Sequence, residues 1–443
     1  MPNHDEQMNR RREKREALRK RQQAQARRLR LTAFAAVLVL AACGGLIWYL
    51  TKGTQEPEAQ TQAAVEQTTA PTETEAPDPR IQKDPLTTIH IRAAGDLNVT
   101  DSVISSGVSV GGYDFGTVFK DVSALLSDAD LTVMNFEGNT YGEPYGTASS
   151  SAPNKILEDL RGCGVDLLQM ANSCSINNGL NGLSATLQSI RAAGIEPVGA
   201  YANQAELDAG KGYTIAEAQG IKVAFVAFTK GMGGRGLPAG SEGLVNVLYE
   251  DYDSEYQKIN TKGIETILKN VQAEEPDLVV ALVHWGSEYN EDISDSQKSI
   301  ISLMQKRGVD VILGTHPHTL QPIEYDPVKG TLVAYSLGDF FGDANRAATN
   351  YSIILDLEVT KDATTGVTKV TDYSYFPIYT VTETESADQK RRVVRIDKAL
   401  EAYEGNYLDK VTQACQESMA YAQVRIEERL VMQTEEDKKE ENK

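Results

Sequence analysis

The stretch Val279-Val280-Ala281-Leu282-Val283-His284-Trp285-Gly286-Ser287-Glu288-Tyr289 decides the reading, together with its echo Val309-Asp310-Val311-Ile312-Leu313-Gly314-Thr315-His316-Pro317-His318. Each opens on a short aliphatic run of the kind that fills a strand buried on both faces, and such strands belong to parallel sheets. Each then runs into histidine. Ligands bind outside the carboxyl ends of the strands in open α/β sheets, and three of the chain's five histidines fall there. Neutral imidazole is a common ligand for transition metals, and the proline between His316 and His318 stiffens their spacing. A lone histidine at a strand end is ordinarily structural; three on two neighbouring ends point to a site.

Working outward, a unit recurs: a helical pattern, a glycine stop, an acidic residue and an apolar strand. Leu157 to Arg161 leads into Gly164-Val165-Asp166-Leu167-Leu168, Leu187 to Ala193 into Gly194-Ile195-Glu196-Pro197-Val198, and Ile300 to Arg307 into Gly308-Val309-Asp310-Val311-Ile312. Glycine just past a helix accepts the left-handed conformation that ends it. Helix and strand alternating at this spacing predict a layered α/β domain with helices over a largely parallel sheet. Further strands are expected at Ile89 to Ala93, Leu131 to Phe136, Val223 to Phe228 and Leu332 to Leu337. Tyr351 to Thr360 and Val367 to Val381 alternate apolar and polar residues about Ala363-Thr364-Thr365-Gly366, which predicts an antiparallel hairpin. Ile396 to about Met432 reads as helical, and Glu435 to Lys443 as a solvated charged tail.

Charge divides the chain. Residues 1 to 30 carry eleven Lys/Arg against four Asp/Glu, whereas the whole chain has a formal net charge of −19. Between the halves lie twenty uncharged residues, Leu31 to Leu50. At a helical rise of about 1.5 Å per residue they match the roughly 30 Å hydrocarbon core of a bilayer. The basic flank Arg27-Arg28-Leu29-Arg30 predicts a single-pass transmembrane helix with residues 1–30 cytoplasmic and the rest extracytoplasmic at the cell membrane. Leu40-Ala41-Ala42-Cys43 leaves a lipoprotein alternative, although the apolar run continues beyond Cys43. Residues 51–86 are Thr, Glu and Pro-rich, with almost no large apolar residue, and are expected to form a disordered linker. A folded domain over 87–381 and a C-terminal helical segment with its tail over 382–443 complete the expected plan. Cys163, Cys174 and Cys415 are too scattered for a disulfide framework. The acidic exterior excludes nucleic acid as a partner.

At the ends of the expected strands stand Gly95-Asp96, Asn135-Phe136-Glu137, Ala171-Asn172-Ser173-Cys174, His284, and His316 with His318. Mixed oxygen and nitrogen ligands from separate loops on one sheet edge are what a one- or two-metal hydrolytic site requires. Taken singly, Asp96 reads equally as an Asx turn, Glu137 as a solvated loop carboxylate and Asn172 as a helix cap.

The ordered set resembles the bacterial capsule synthesis family, CapA, over roughly Thr88 to Pro377. It does so through Ala94-Gly95-Asp96, Asn135-Phe136-Glu137, His284-Trp285-Gly286-Ser287-Glu288-Tyr289, Gly314-Thr315-His316-Pro317-His318 with Gln321-Pro322-Ile323-Glu324, and Tyr335-Ser336-Leu337-Gly338-Asp339-Phe340. That family is associated with poly-γ-glutamate capsules and is distantly like the calcineurin-type metallophosphoesterases. The resemblance implies a four-layer α/β/β/α metallophosphatase-like domain behind a membrane anchor. It also implies a divalent metal ion on Asp96, Glu137, His284, His316 and His318, with His318 and Cys174 as catalytic candidates. Asn172, Trp285 and Glu288 are expected to bind substrate. The implied partners are the membrane, an anionic or peptide-like envelope polymer, and other capsule synthesis or export proteins. Two positions depart from the family pattern. Ala171-Asn172-Ser173-Cys174 stands where the family commonly has Ala-Asn-Asn-His, and Asp339 where it has Asn. In the phosphoesterase relatives that Asn is a ligand and that His assists the leaving group. Two functions are therefore open: a metal-dependent hydrolase attacking a phosphoester or γ-glutamyl amide, and a noncatalytic polymer-binding or assembly component.

Overall fold

The structure, a computed structural model, describes residues 85–386, 388–404 and 411–432. The basic segment, the expected transmembrane helix and all but the end of the expected linker lie outside the described residues. Among the described residues no helix is long and apolar enough to cross a membrane. The described residues fall in one compact unit.

Eight strands occupy the first half: β1 (Leu86–Asn98), β2 (Val108–Ser109), β3 (Gly112–Tyr113), β4 (Leu131–Glu137), β5 (Leu167–Gln169), β6 (Glu196–Val198), β7 (Thr214–Ala218) and β8 (Ile221–Thr229). Eight more follow: β9 (Leu278–His284), β10 (Val311–Thr315), β11 (Leu320–Asp326), β12 (Thr331–Leu337), β13 (Asp339–Phe341), β14 (Tyr351–Asp362), β15 (Thr368–Val381) and β16 (Arg392–Arg395). They make two main sheets rather than one. The first runs β16-β15-β14-β1-β4-β5-β6, with β13 pairing β1; the second runs β11-β12-β10-β9-β8-β7. The centre of each is parallel, β1 with β4 to β6 and β8 with β9, β10 and β12, and antiparallel strands close the edges. The expected hairpin is β14 and β15, paired antiparallel.

Alternation along the central strands shows why two sheets are needed. Val223, Phe225 and Ala227 of β8 face the core shared with the first sheet, while Ala224, Val226 and Phe228 face a second apolar cluster on the far side. There the helices Thr261–Gln272 and Asp295–Lys306 bury Ile264, Leu268, Ile300 and Met304. Helices Gly116–Ser127, Lys155–Gly162 and Gly179–Ala192 cover the first sheet with Val118, Phe119, Leu157 and Leu187. Four layers, α/β/β/α, result. With both faces covered, the strands can be apolar throughout.

The recurring acidic residue has a physical role. Asp166 and Asp310 each stand just before a strand and accept the amide one residue ahead of the first paired residue of its parallel neighbour, from Thr132 and Val279, at 2.9 Å. Asp130 and Asp277 do the same for His90 and Lys222 at 2.8 Å. An amide at the rim of a buried sheet must find an acceptor, and a carboxylate there gives a charge-assisted bond. The third copy, Glu196, lies within β6.

The C-terminal segment, expected as a separate element, shares the main core. β16 pairs β15, and the helix Gln413–Arg429 buries Cys415, Met419, Ala422 and Ile426 there. The single helical reading from Ile396 to Met432 becomes two helices, Ile396–Glu404 and Gln413–Arg429.

Candidate metal centre

Two glycines bring the strand ends together. Gly95 is the extra residue of a bulge in β1, where the register against β4 passes from Ala94–Met134 to Asp96–Asn135. A Cβ there would lie 1.8 Å from the carbonyl oxygen of Gly338, which instead accepts the Asp96 amide at 3.0 Å. Gly314 makes the matching approach in the second sheet, to the Tyr335 carbonyl. Beyond it the backbone is strained: His316 and His318 have φ of 93° and 60°, a region that costs a non-glycine residue of order 1 to 3 kcal/mol. The Asp96 carboxylate holds this turn by accepting the His316 amide at 3.1 Å. Carboxylates from one sheet thereby meet imidazoles from the other.

Asp96, Glu137, His284, His316 and His318 all lie together and are buried. The His284 and His316 ring centroids are 4.4 Å apart, and those of His316 and His318 6.1 Å. Three groupings have potential ligand atoms within 4.8 Å of one another: Glu137, His284 and His316; Asp96, His318 and Asp339; and Glu288, His316 and His318. In the first, Glu137 Oε2, His284 Nε2 and His316 Nδ1 are buried without a hydrogen-bond partner. His284 Nε2 approaches Glu137 Oε1 to 3.3 Å but without hydrogen-bonding geometry. A buried polar atom left unpaired costs about 1 to 3 kcal/mol, and an ion is one of the few things that satisfies several at once. Metal–nitrogen bonds of about 2.0 to 2.1 Å put opposed ligands about 4 Å apart, inside the 4.8 Å that bounds each grouping. The residues present fit a divalent cation.

Electrostatics separate the histidines. His316 is held well below its usual value by burial and by His284 beside it, and so is a neutral imidazole. Burial also pulls on His318, but the carboxylates of Asp339, Glu137 and Asp96 outweigh it and push His318 up to about 11. Its Nδ1 meets Asp339 Oδ1 at 2.8 Å, and its Nε2 faces Glu137 Oε2 at 3.9 Å. Burial raises Asp96 and pushes Asp339 up to about 7, each offset in part by His318. For Glu137, the surrounding histidines overcome burial and hold the carboxyl low.

The other candidates divide. Asn172 is fully buried and donates to Asn135 Oδ1 at 3.0 Å and to the Phe136 carbonyl at 2.8 Å. Asn135 in turn donates to Asp96 at 2.5 Å. Asn172 thus positions Asp96 through Asn135 and presents no surface to a substrate. Trp285 corrects its expected role in the same way: the indole is fully buried in the outer core, with Nε1 donating to the Tyr335 carbonyl at 2.8 Å. Glu288 is exposed at the rim. Burial, and then the charge of Glu137, pushes the Cys174 thiol up to about 12, where it is a poor proton donor and a poor nucleophile. Cys174 joins none of the three ligand groupings. Three further residues belong to the site: Asp339, Asn98, which donates to Asp339 at 3.2 Å, and Tyr289, its ring 5.5 Å from that of His318. Asp339 carried the same strand-end signal as its neighbours, since it follows β12 after one glycine.

Fold and site together define a two-sheet α/β protein with a buried carboxylate and imidazole centre at its strand ends. The chain matches the model of the bacterial capsule synthesis protein PGA_cap family over residues 90–344 and belongs to that family. It is similar to the PGA biosynthesis protein CapA of Bacillus subtilis (strain 168), with 29% identity over 256 residues covering 56% of this chain and 62% of that protein. The capsule biosynthesis protein CapA of Bacillus anthracis is 26% identical over 265 residues, 57% of this chain and 60% of that protein. The chain thus spans about three fifths of the length of these curated relatives. Among solved structures, a calcineurin-like phosphoesterase YfkN from Bacillus subtilis is 17% identical with a TM-score of 0.40, covering 66% of this chain and 91% of that one. A novel phosphatase from Mycoplasma pneumoniae is 15% identical with a TM-score of 0.41, covering 66% and 94%. TM-scores this low support no inference from those superpositions.

Proposed function

We propose that this protein is a membrane-anchored, extracytoplasmic metal-dependent hydrolase that acts on a capsule or poly-γ-glutamate type envelope polymer during its synthesis, export or processing. One observation carries the reading. Glu137, His284 and His316 converge in a buried cluster in which each has an atom without a hydrogen-bond partner. The two Bacillus relatives, a PGA biosynthesis protein and a capsule biosynthesis protein, support the polymer. The uncharged run Leu31 to Leu50 behind a basic head supports the anchor.

Glu137, His284 and His316 would hold the cation, with Asp96 and Asp339 as further carboxylates. When bound, a divalent cation supplies Lewis-acid stabilisation of negative charge developing on an ester or amide oxygen. The chain's own residues supply the remainder. Asn172 and Asn135 fix the Asp96 carboxylate, and Asp339 fixes the His318 ring at Nδ1. The proton on His318 Nε2 is then available to a leaving group, taking the place of the histidine that Cys174 replaces. General acid catalysis of this kind contributes typically 10² to 10⁴ in rate.

A second reading, a noncatalytic polymer-binding or assembly component, is favoured by the Ser173-Cys174 replacement alone. Hydrolysis assays on phosphoesters and γ-glutamyl peptides separate the two. Turnover by the full-length chain in detergent, abolished by a chelator and by His316→Ala, supports the hydrolase. Absence of turnover on every substrate, with and without added metals, contradicts it.

A further inference from the structure

On a chain of net charge −19, three cations beside the metal cleft stand without a carboxylate partner. Lys230, just after β8, donates to the Gly286 carbonyl at 2.6 Å and lies over the Tyr256 ring at 4.8 Å. Arg235, exposed, donates to Asn177 Oδ1 at 2.9 Å on the Cys174 side of the cleft. Arg346, also exposed, lies over the Tyr289 ring at 4.2 Å, and that ring is 5.5 Å from His318. Among the described residues none of the three has a carboxylate oxygen within 4.0 Å. Elsewhere Arg161, Arg191, Arg307, Arg391 and Arg429 are each answered by an acid. Surface arginines in an acidic protein find partners easily, so two arginines left open beside one cleft mark the sign of what enters it.

Topology sets the two arginines apart. In the first sheet β13 and β5 stand on opposite sides of the β1–β4 pair that carries Asp96 and Glu137. Asn177, the partner of Arg235, follows β5, and Arg346 follows β13. Arg346 is also presented rather than free: Tyr289 is pinned by its amide to the Pro317 carbonyl at 2.8 Å, so the ring beneath the guanidinium is fixed to the His316–His318 turn. A stacked guanidinium keeps its donor fork available for a carboxylate or phosphate and loses little freedom in using it.

We propose that Arg235 and Arg346 are specificity residues that grip two anionic groups of one extended chain lying across the metal cleft. The substrate is then an oligomer with repeated carboxylates or phosphates, not a neutral or basic peptide. This rests on, and narrows, the reading of the cleft as the place where an envelope polymer is handled.

The test is binding of labelled oligomers to the full-length chain in detergent, followed by fluorescence anisotropy. The probes are a γ-linked glutamate decamer, a polyphosphate of equal length, and the decamer with its carboxylates converted to methyl amides. Arg235→Ala and Arg346→Ala are each expected to weaken binding of the recognised polyanion about tenfold, the loss of one charge-assisted hydrogen bond, and the double variant about a hundredfold. The neutral decamer should be unaffected, and Arg346→Lys should restore only part of the loss. Whichever polyanion shows the arginine-dependent loss identifies the anionic group. Binding of neither polyanion by the wild type, no change in the double variant, or an equal loss for the neutral decamer would overturn the proposal. Metal content and turnover of the same preparations report separately on the hydrolase reading.

Discussion

Replacing Gly314 by alanine puts a methyl carbon 1.9 Å from the carbonyl oxygen of Tyr335, 2.6 Å from its carbon and 2.7 Å from the indole nitrogen of Trp285. Neither neighbour can swing aside. The carbonyl belongs to β12, which pairs β10 directly, and the buried indole donates to that same oxygen at 2.8 Å. The methyl therefore both forces β10 from β12 and breaks the indole bond. Overpacking costs about 1 to 3 kcal/mol, and stranding a buried N–H costs about 1 to 3 kcal/mol more. A loss of about 2 to 6 kcal/mol follows, which at roughly 2 °C per kcal/mol for a large domain lowers the midpoint by about 4 to 12 °C. Thermal unfolding of the full-length chain by circular dichroism measures this, with Gly162→Ala as the control. No heavy atom lies within 4 Å of a Cβ at Gly162, and alanine near a helix end is neutral or stabilising by up to about 1 kcal/mol. If Gly314→Ala melts with the wild type, the close approach that sets the His316 turn is not as described.

Asp310, pushed up to about 6 by burial, favours folding most when protonated: its contribution is full below the unfolded value near 3.8 and is lost as pH rises through 6. Asp310→Asn keeps an acceptor for the Val279 amide, so its stability relative to wild type should improve by about 1 to 2 kcal/mol between pH 4 and pH 7.5; a pH-independent difference in denaturant titrations would contradict the assignment. With its thiol pushed up to about 12, Cys174 should be alkylated by iodoacetamide at pH 8 on the order of a thousandfold more slowly than an ordinary free thiol. Peptide mapping checks this, and labelling at the rate of the unfolded chain would disprove it. Ser173→Asn with Cys174→His should raise metal affinity or turnover by returning an amide oxygen and an imidazole; no change in either, with His316→Ala equally silent, would favour the binding role.

Periodicity made the central strands legible, because a strand buried on both faces must be apolar along its length and the chain shows such runs at Val279, Val309 and Val223. The strand-end rule placed Asp96, Glu137, His284, His316 and His318 at one sheet edge, and in the structure they lie together. Short or polar edge strands were not visible. β7, β11, β13 and β16 owe their form to pairing partners distant in sequence, which no local pattern encodes. Periodicity alone likewise hid the division into two sheets, since a buried strand looks the same in either; only the family resemblance implied the four layers that the structure has. Trp285 was misread because proximity to a site along the chain does not say which face of the strand a residue takes: His284 points to the cleft and its neighbour points the other way, into the outer core. Asp339 was legible but set aside as a departure from the family, although it pairs with His318.

Metal analysis of the purified full-length chain, after dialysis against a weak chelator, tests the central claim most directly. The account predicts one or two divalent ions per chain in the wild type and in Asp310→Asn, and their loss from Glu137→Ala and from His316→Ala, with all four proteins folded by circular dichroism. A wild-type chain that takes up no divalent metal at any tested concentration, or variants at Glu137 and His316 that keep it, would contradict the metal centre.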